Sequence, residues 1–120
     1  MTKQALLIVD HGSRRKEAND MLEDVLNLIR KQKPHLIVNG AHMELAEPDI
    51  AAGIKRCVLQ GANHIIVQPM MLTPGRHAMK DIPDLVKQAM ADYPHVTSKV
   101  SAHIGPEEKL AELLIEKAGI

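Results

Sequence analysis

Ala5-Leu6-Leu7-Ile8-Val9-Asp10-His11-Gly12-Ser13 sets a short, unbroken apolar run against an abrupt polar turn. An apolar run of this length, bounded by a turn signal, reads as a strand buried on both faces. From about Arg15 to Gln32 the pattern changes, and Ala18, Met21, Leu22, Val25, Leu28 and Ile29 fall on one helical stripe. The alternation then repeats. Apolar runs at Leu36 to Met43, Ile65 to Gln68 and Val96 to Ala102 predict three more strands. A second helix is expected over about Asp49 to Gln60, where Ile50, Ile54, Cys57 and Val58 share a face. A third is expected to open at Asp81 as N-cap, with Pro83 in its first turn and Leu85, Val86, Ala89 and Met90 inward. A fourth starts near Pro106 and carries Leu110, Ala111, Leu113 and Leu114. Pro34, Gly61, Pro94 and Gly119 punctuate the helix ends. Strands joined by right-handed helical crossovers are parallel. The expected fold is therefore α/β: a three-layer α/β/α sandwich with a four-stranded parallel sheet in βαβαβαβα order, one domain over residues 1–120.

Composition narrows the function. The 120 residues carry 15 Lys+Arg and 15 Asp+Glu, so the formal net charge is zero, which gives no electrostatic case for nucleic acid. One Tyr, no Phe and no Trp leave no base-stacking platform. No apolar stretch approaches the roughly 20 residues of a membrane helix, so no membrane partner is expected. Met1 to Gln4 lead straight into the first strand with no cleavage site, and the single cysteine allows no internal disulfide. Both point to the cytoplasm. Cys57 reads as a small core residue. Seven histidines in so short a chain are the oddity, and they invite a metal or proton-transfer reading.

Parallel topology sorts those histidines. Ligands of open α/β sheets bind outside the carboxyl ends of the strands. His35, His64 and His95 each precede a strand and belong to the opposite edge. His11, His77 and His103 each follow a strand and belong to the binding edge, while His42 fits either a sheet face or that edge. The loop after the first strand holds His11, Gly12, Ser13, Arg14, Arg15 and Lys16; the next holds Glu44. The third, read as Pro69 to Lys80, is long for such a connection and contains Met70, Met71, Pro74, Arg76, His77 and Met79. Two imidazoles, His11 and His77, with the Glu44 carboxylate suit Fe, Co, Ni or Zn without thiolates that would hold the ion too tightly to release. Arg14, Arg15, Lys16, Arg76 and Lys80 form a local basic rim suited to a polycarboxylate. Each residue also has a plain structural role open to it. A strand-end His is more often hydrogen-bonded than metal-bound, Ser13 can cap the helix, and Glu44 can fix its loop.

Leu6-Leu7-Ile8-Val9-Asp10-His11-Gly12-Ser13-Arg14, with Glu17-Ala18-Asn19 behind it, resembles the N-terminal signature of the sirohydrochlorin metal chelatases, the class II chelatase family. Gln68-Pro69-Met70-Met71-Leu72, Gly75-Arg76-His77 and Asp81-Ile82-Pro83 resemble its second metal-binding loop and the helix that follows. Met43-Glu44-Leu45-Ala46-Glu47-Pro48 is a weaker match. The resemblance implies that His11 and His77 hold the incoming metal and that Glu44 assists metal binding or proton removal. Ser13, Arg14, Arg15, Arg76 and Met71 would contact the substrate. It implies insertion of Co²⁺ or Fe²⁺, with Ni²⁺ a third candidate, into sirohydrochlorin, with the ion as substrate and no permanently bound cofactor. The length resembles the short form, which pairs as a homodimer. Asp10 departs from the pattern, standing where Gly is commoner. Two other classes stay in view: a metal or tetrapyrrole carrier without turnover, and a flavodoxin-like signalling domain, which would need an acidic cluster that the first loop lacks.

Overall fold

In the structure, a computed structural model describing residues 2–73 and 75–120, strands and helices alternate as the apolar pattern predicts. Met1 and Pro74 lie outside the described residues. The order is β1 (Gln4–Asp10), α1 (Lys16–Gln32), β2 (Ile37–His42), α2 (Ile50–Leu59), β3 (His64–Pro69), α3 (Arg76–Met90), β4 (Thr97–Val100) and α4 (Glu108–Ala118). The strands form one parallel sheet in the order β2-β1-β3-β4.

β1 is central, so both of its faces are covered, which is why its sequence is continuously apolar. Alternate residues divide between two cores. Leu7 and Val9 join Ile54, Ile65, Val67 and Ile82 in the larger cluster, beneath α2 and α3. Ile8 joins Leu22, Leu26 and Val38 in the smaller one, beneath α1. Gly40 lets α1 descend on the sheet, because a Cβ there would stand 2.8 Å from Leu26 Cδ1. Each fully buried aliphatic side chain contributes about 1.5–3 kcal/mol.

Three expectations are corrected. α3 begins at Arg76 rather than Asp81, so Asp81 is no N-cap and Pro83 lies inside the helix. Pro83 removes a single backbone bond, whereas Ala78, Ile82, Val86 and Ala89 are buried along a stripe running through it. Packing of that stripe outweighs the proline signal. The connection from β3 to α3 is correspondingly shorter than the Pro69 to Lys80 loop expected. β4 is also shorter than its apolar run, and as an edge strand it leaves Thr97, Ser98 and Lys99 exposed.

α4 ends at Gly119 in the left-handed region (φ 75°) and has no buried residue. Among the described residues, no helix is long and apolar enough to cross a membrane.

Candidate functional site

The parallel sheet delivers the ends of β1, β2 and β3 to one edge. His11 leaves β1 exposed to solvent, and Gly12 turns the chain at φ +86°. A Cβ at Gly12 would collide with the Glu44 carbonyl oxygen and stand 3.1 Å from His42 Cβ. Glycine is required there by both dihedral and space. The close approach follows from the continued pairing of the two strand ends, in which Met43 N–H donates to Asp10 O (2.9 Å) and Glu44 N–H to His11 O (3.1 Å). Glu44 is thereby held beside His11 by backbone bonds, with its side chain exposed.

The start of α1 is tied by a residue the site reading passed over. Asn19 accepts from Ser13 N–H (2.9 Å) and donates to Ser13 O (2.7 Å). The Ser13 hydroxyl accepts from Arg15 N–H (3.0 Å), a turn that precedes the helix; the N-cap is Arg15, with no side-chain cap, so Ser13 does not cap α1. Arg14 and Arg15 are exposed and, among the described residues, form no ion pair. Lys16 pairs with Asp20 at 2.6 Å. Its pKa is raised by that hydrogen bond and by the attraction of the carboxylate.

His42 belongs to a sheet face and not to the open edge. It is 4% exposed, and its Nδ1 lies 2.6 Å from Asp10 Oδ1, its register partner. Its backbone N–H donates to Pro48 O (2.8 Å), anchoring the loop that carries Glu44. The unusual Asp10 is thus the partner of a buried imidazole. The sequence signal was available, since Asp10 and His42 both end strands, but only the register shows that they meet.

On the β3 side, Met70 N–H donates to Val9 O (2.7 Å). Met71 is 5% exposed within the core, so it offers no wall to a ligand; Met79, 64% exposed, is the available methionine at this edge. Arg76 and His77 form the first turn of α3, both exposed. Beside them lies an apolar hollow of about 160 Å³ lined by Pro69, Ala78, Met79, Ile82, Val100 and His103, among others. A larger hollow of about 470 Å³ between Thr2 and Leu36 lies at the opposite edge, away from these groups.

His11, Glu44 and His77 therefore share one edge, but they are not gathered. Among the described residues, no three His, Cys, Asp or Glu side chains stand close enough to hold a metal ion. His11, Glu44 and His77 are three separate solvent-facing donors on a common edge rather than a preformed cluster. Of the histidines at the far edge, His35 and His95 are exposed, and His64 Nδ1 bonds Thr97 Oγ1 at 2.6 Å, linking β3 to β4.

The CbiX family model matches residues 5–119. The chain belongs to the CbiX family. A chloroplastic sirohydrochlorin ferrochelatase of Arabidopsis thaliana is 40% identical over 112 residues, 93% of this chain and 50% of that protein. A sirohydrochlorin cobaltochelatase of Priestia megaterium is 33% identical over 111 residues, 92% of this chain and 36% of that protein. Among solved structures, the sirohydrochlorin chelatase SirB from Bacillus subtilis subspecies spizizenii in complex with cobalt matches with a TM-score of 0.89 and 33% identity. That match covers 98% of this CbiX chain and 50% of SirB. This CbiX chain spans about half the length, or less, of these relatives.

Proposed function

We propose that this CbiX protein inserts Co²⁺ or Fe²⁺ into sirohydrochlorin, with the ion as substrate and no resident cofactor. The observation that carries the reading is the presence of His11, Glu44 and His77 along one sheet edge, with Arg14, Arg15 and Arg76 at the same edge and without ion-pair partners among the described residues. The relatives named as ferrochelatase and cobaltochelatase support it.

Each group has a task in this reading. His11 and His77 take the ion as its waters leave, and neutral imidazoles bind a borderline ion without retaining it as thiolates would. Two pyrrole protons must depart; Glu44, fixed beside His11 by backbone bonds, takes one and passes it to solvent before it takes the second. The arginines orient the carboxylates of the macrocycle. The dispersed donors suit a transient site that is completed only with the ion and macrocycle present.

The proposal includes a cytoplasmic homodimer. Three spacings between four strands make the edge about 15 Å wide, comparable with a tetrapyrrole. The edge is a platform without a lid, and a second subunit would supply one. The test is an anaerobic absorbance assay with sirohydrochlorin and Co²⁺, Fe²⁺ or Ni²⁺ in turn. Metallated product formed faster than in buffer supports the reading, and the metal that gives the fastest rate identifies the ion. Tight binding of metal and macrocycle with no product would make the protein a carrier instead.

A further inference from the structure

Glu44 reaches the site on a loop with no core anchor of its own. From Met43 to Asp49 no residue is buried, and β2, the strand before the loop, is an edge strand. His11, by contrast, leaves β1, which has a strand on each side and a core on each face. Of the two groups, Glu44 is therefore the one free to drift. The bond from His42 N–H to Pro48 O (2.8 Å) closes the loop at its base, so the loop moves as a unit with His42.

Whatever holds His42 then places Glu44. The backbone bonds from Met43 and Glu44 to the end of β1 lie at the open edge, where water competes and strand ends fray. The side chain of His42 is shielded, but packing alone does not fix its ring. The ring borders a cavity of about 180 Å³ whose walls include Leu22, Gly40, Glu47 and Arg56. Among the described residues its one side-chain hydrogen bond joins Nδ1 to Asp10 Oδ1 at 2.6 Å. That bond selects one ring position from the room available. It also ties the last residue of β2 to the last residue of β1. The Gly12 turn sits against the same side chain, since a Cβ at Gly12 would stand 3.1 Å from His42 Cβ.

We propose that Asp10 and His42 are positioning residues of the insertion reaction. Their hydrogen bond sets where Glu44 stands relative to the metal-bearing His11, and so the rate at which the pyrrole protons leave. His42 is buried and acts through Glu44 rather than on the macrocycle. Metal capture by His11 and His77 does not depend on the pair, because His11 is held by β1 itself. The proposal rests on the chelatase reading above, in which Glu44 is the base.

A double-mutant cycle tests it. Anaerobic insertion of Co²⁺ into sirohydrochlorin is measured for wild type, Asp10→Ala, His42→Leu and Glu44→Gln, and for each of the first two combined with Glu44→Gln. Rates are compared at a temperature where circular dichroism shows every variant folded. A misplacement of about 1 Å costs about 100-fold, so Asp10→Ala and His42→Leu should each lower kcat by about 10–100-fold. KM for Co²⁺ should stay within about two-fold of wild type, because only a group acting after metal capture has moved. In the Glu44→Gln background each should lower kcat by less than about two-fold more, since there is no base left to place. Should His42→Leu fail to fold, Asp10→Ala carries the comparison. Equal losses in both backgrounds would show a structural brace and overturn the proposal, as would an unchanged kcat or a loss confined to KM for Co²⁺. Those outcomes leave the chelatase reading standing. A wild type that forms no metallated product would remove that reading, and this proposal with it.

Discussion

Replacing Gly12 by alanine attacks the junction on which the site depends. At φ +86° an L-residue costs about 1–2 kcal/mol more than glycine. The added Cβ also collides with the Glu44 carbonyl oxygen, so the loop after β2 must retreat. Retreat breaks the bond from Glu44 N–H to His11 O, worth about 1 kcal/mol. The sum is a loss of about 2–3 kcal/mol. For 120 residues the unfolding entropy makes 1 kcal/mol equal to about 4 °C, so Tm should fall by about 8–12 °C. Thermal unfolding by circular dichroism measures this, and metal insertion should fall in the fraction that remains folded, because Glu44 has moved from His11. A variant that matches wild type in both Tm and rate would refute the claim that the β1 and β2 ends are locked together through Gly12.

Other predictions test separate contacts. Asp10→Asn or His42→Leu leaves one member of a part-buried 2.6 Å pair without its natural partner and should cost about 1–3 kcal/mol in urea unfolding; an unchanged midpoint would mean the pair is energetically idle. Leu45 sits at φ 69° and is 55% exposed, so Leu45→Gly should raise stability by about 0.5–1 kcal/mol, and a loss would show that its side chain is anchored after all. Burial pushes the Cys57 thiol above its ordinary value of 9.0, outweighing the Asn39 hydrogen bond that lowers it. The folded protein thus keeps a proton that the unfolded chain releases. This contribution is complete below pH 9 and fades as pH rises toward the folded value, so wild type should lose stability above pH 9 more steeply than Cys57→Ala.

The fold was legible wherever one period dominated. The β1 run and the Met21 to Ile29 stripe left little choice of structure, and the alternation that followed implied a parallel sheet and a binding edge. The start of α3 was misread because Pro83 is a strong local signal, whereas burial of Ala78 and Ile82 is a tertiary one. Met71 was misread for the same reason, since a methionine in a loop sequence does not reveal that its side chain turns into the core. The candidate site could be proposed from the sequence only as an edge and as residue types. The register that joins Asp10 to His42, and the spacing that keeps His11, Glu44 and His77 from forming a closed cage, depend on distances between strands that one sequence does not print. α4 shows the limit most clearly. Its Leu110, Leu113 and Leu114 stripe has the pattern of a buried helix face, yet Leu110 is only half-buried and Leu113 and Leu114 are exposed.

The central claim is that His11 and His77 together deliver the metal. Anaerobic insertion of Co²⁺ and Fe²⁺ into sirohydrochlorin should be compared for wild type, His11→Ala and His77→Ala. Both residues are exposed, so the variants should fold as wild type does. Loss of even an outer partner of a metal ligand costs 10–100-fold, so loss of the ligand itself should lower the rate by about 100-fold or more in each variant. Wild-type rates in both variants would contradict the account.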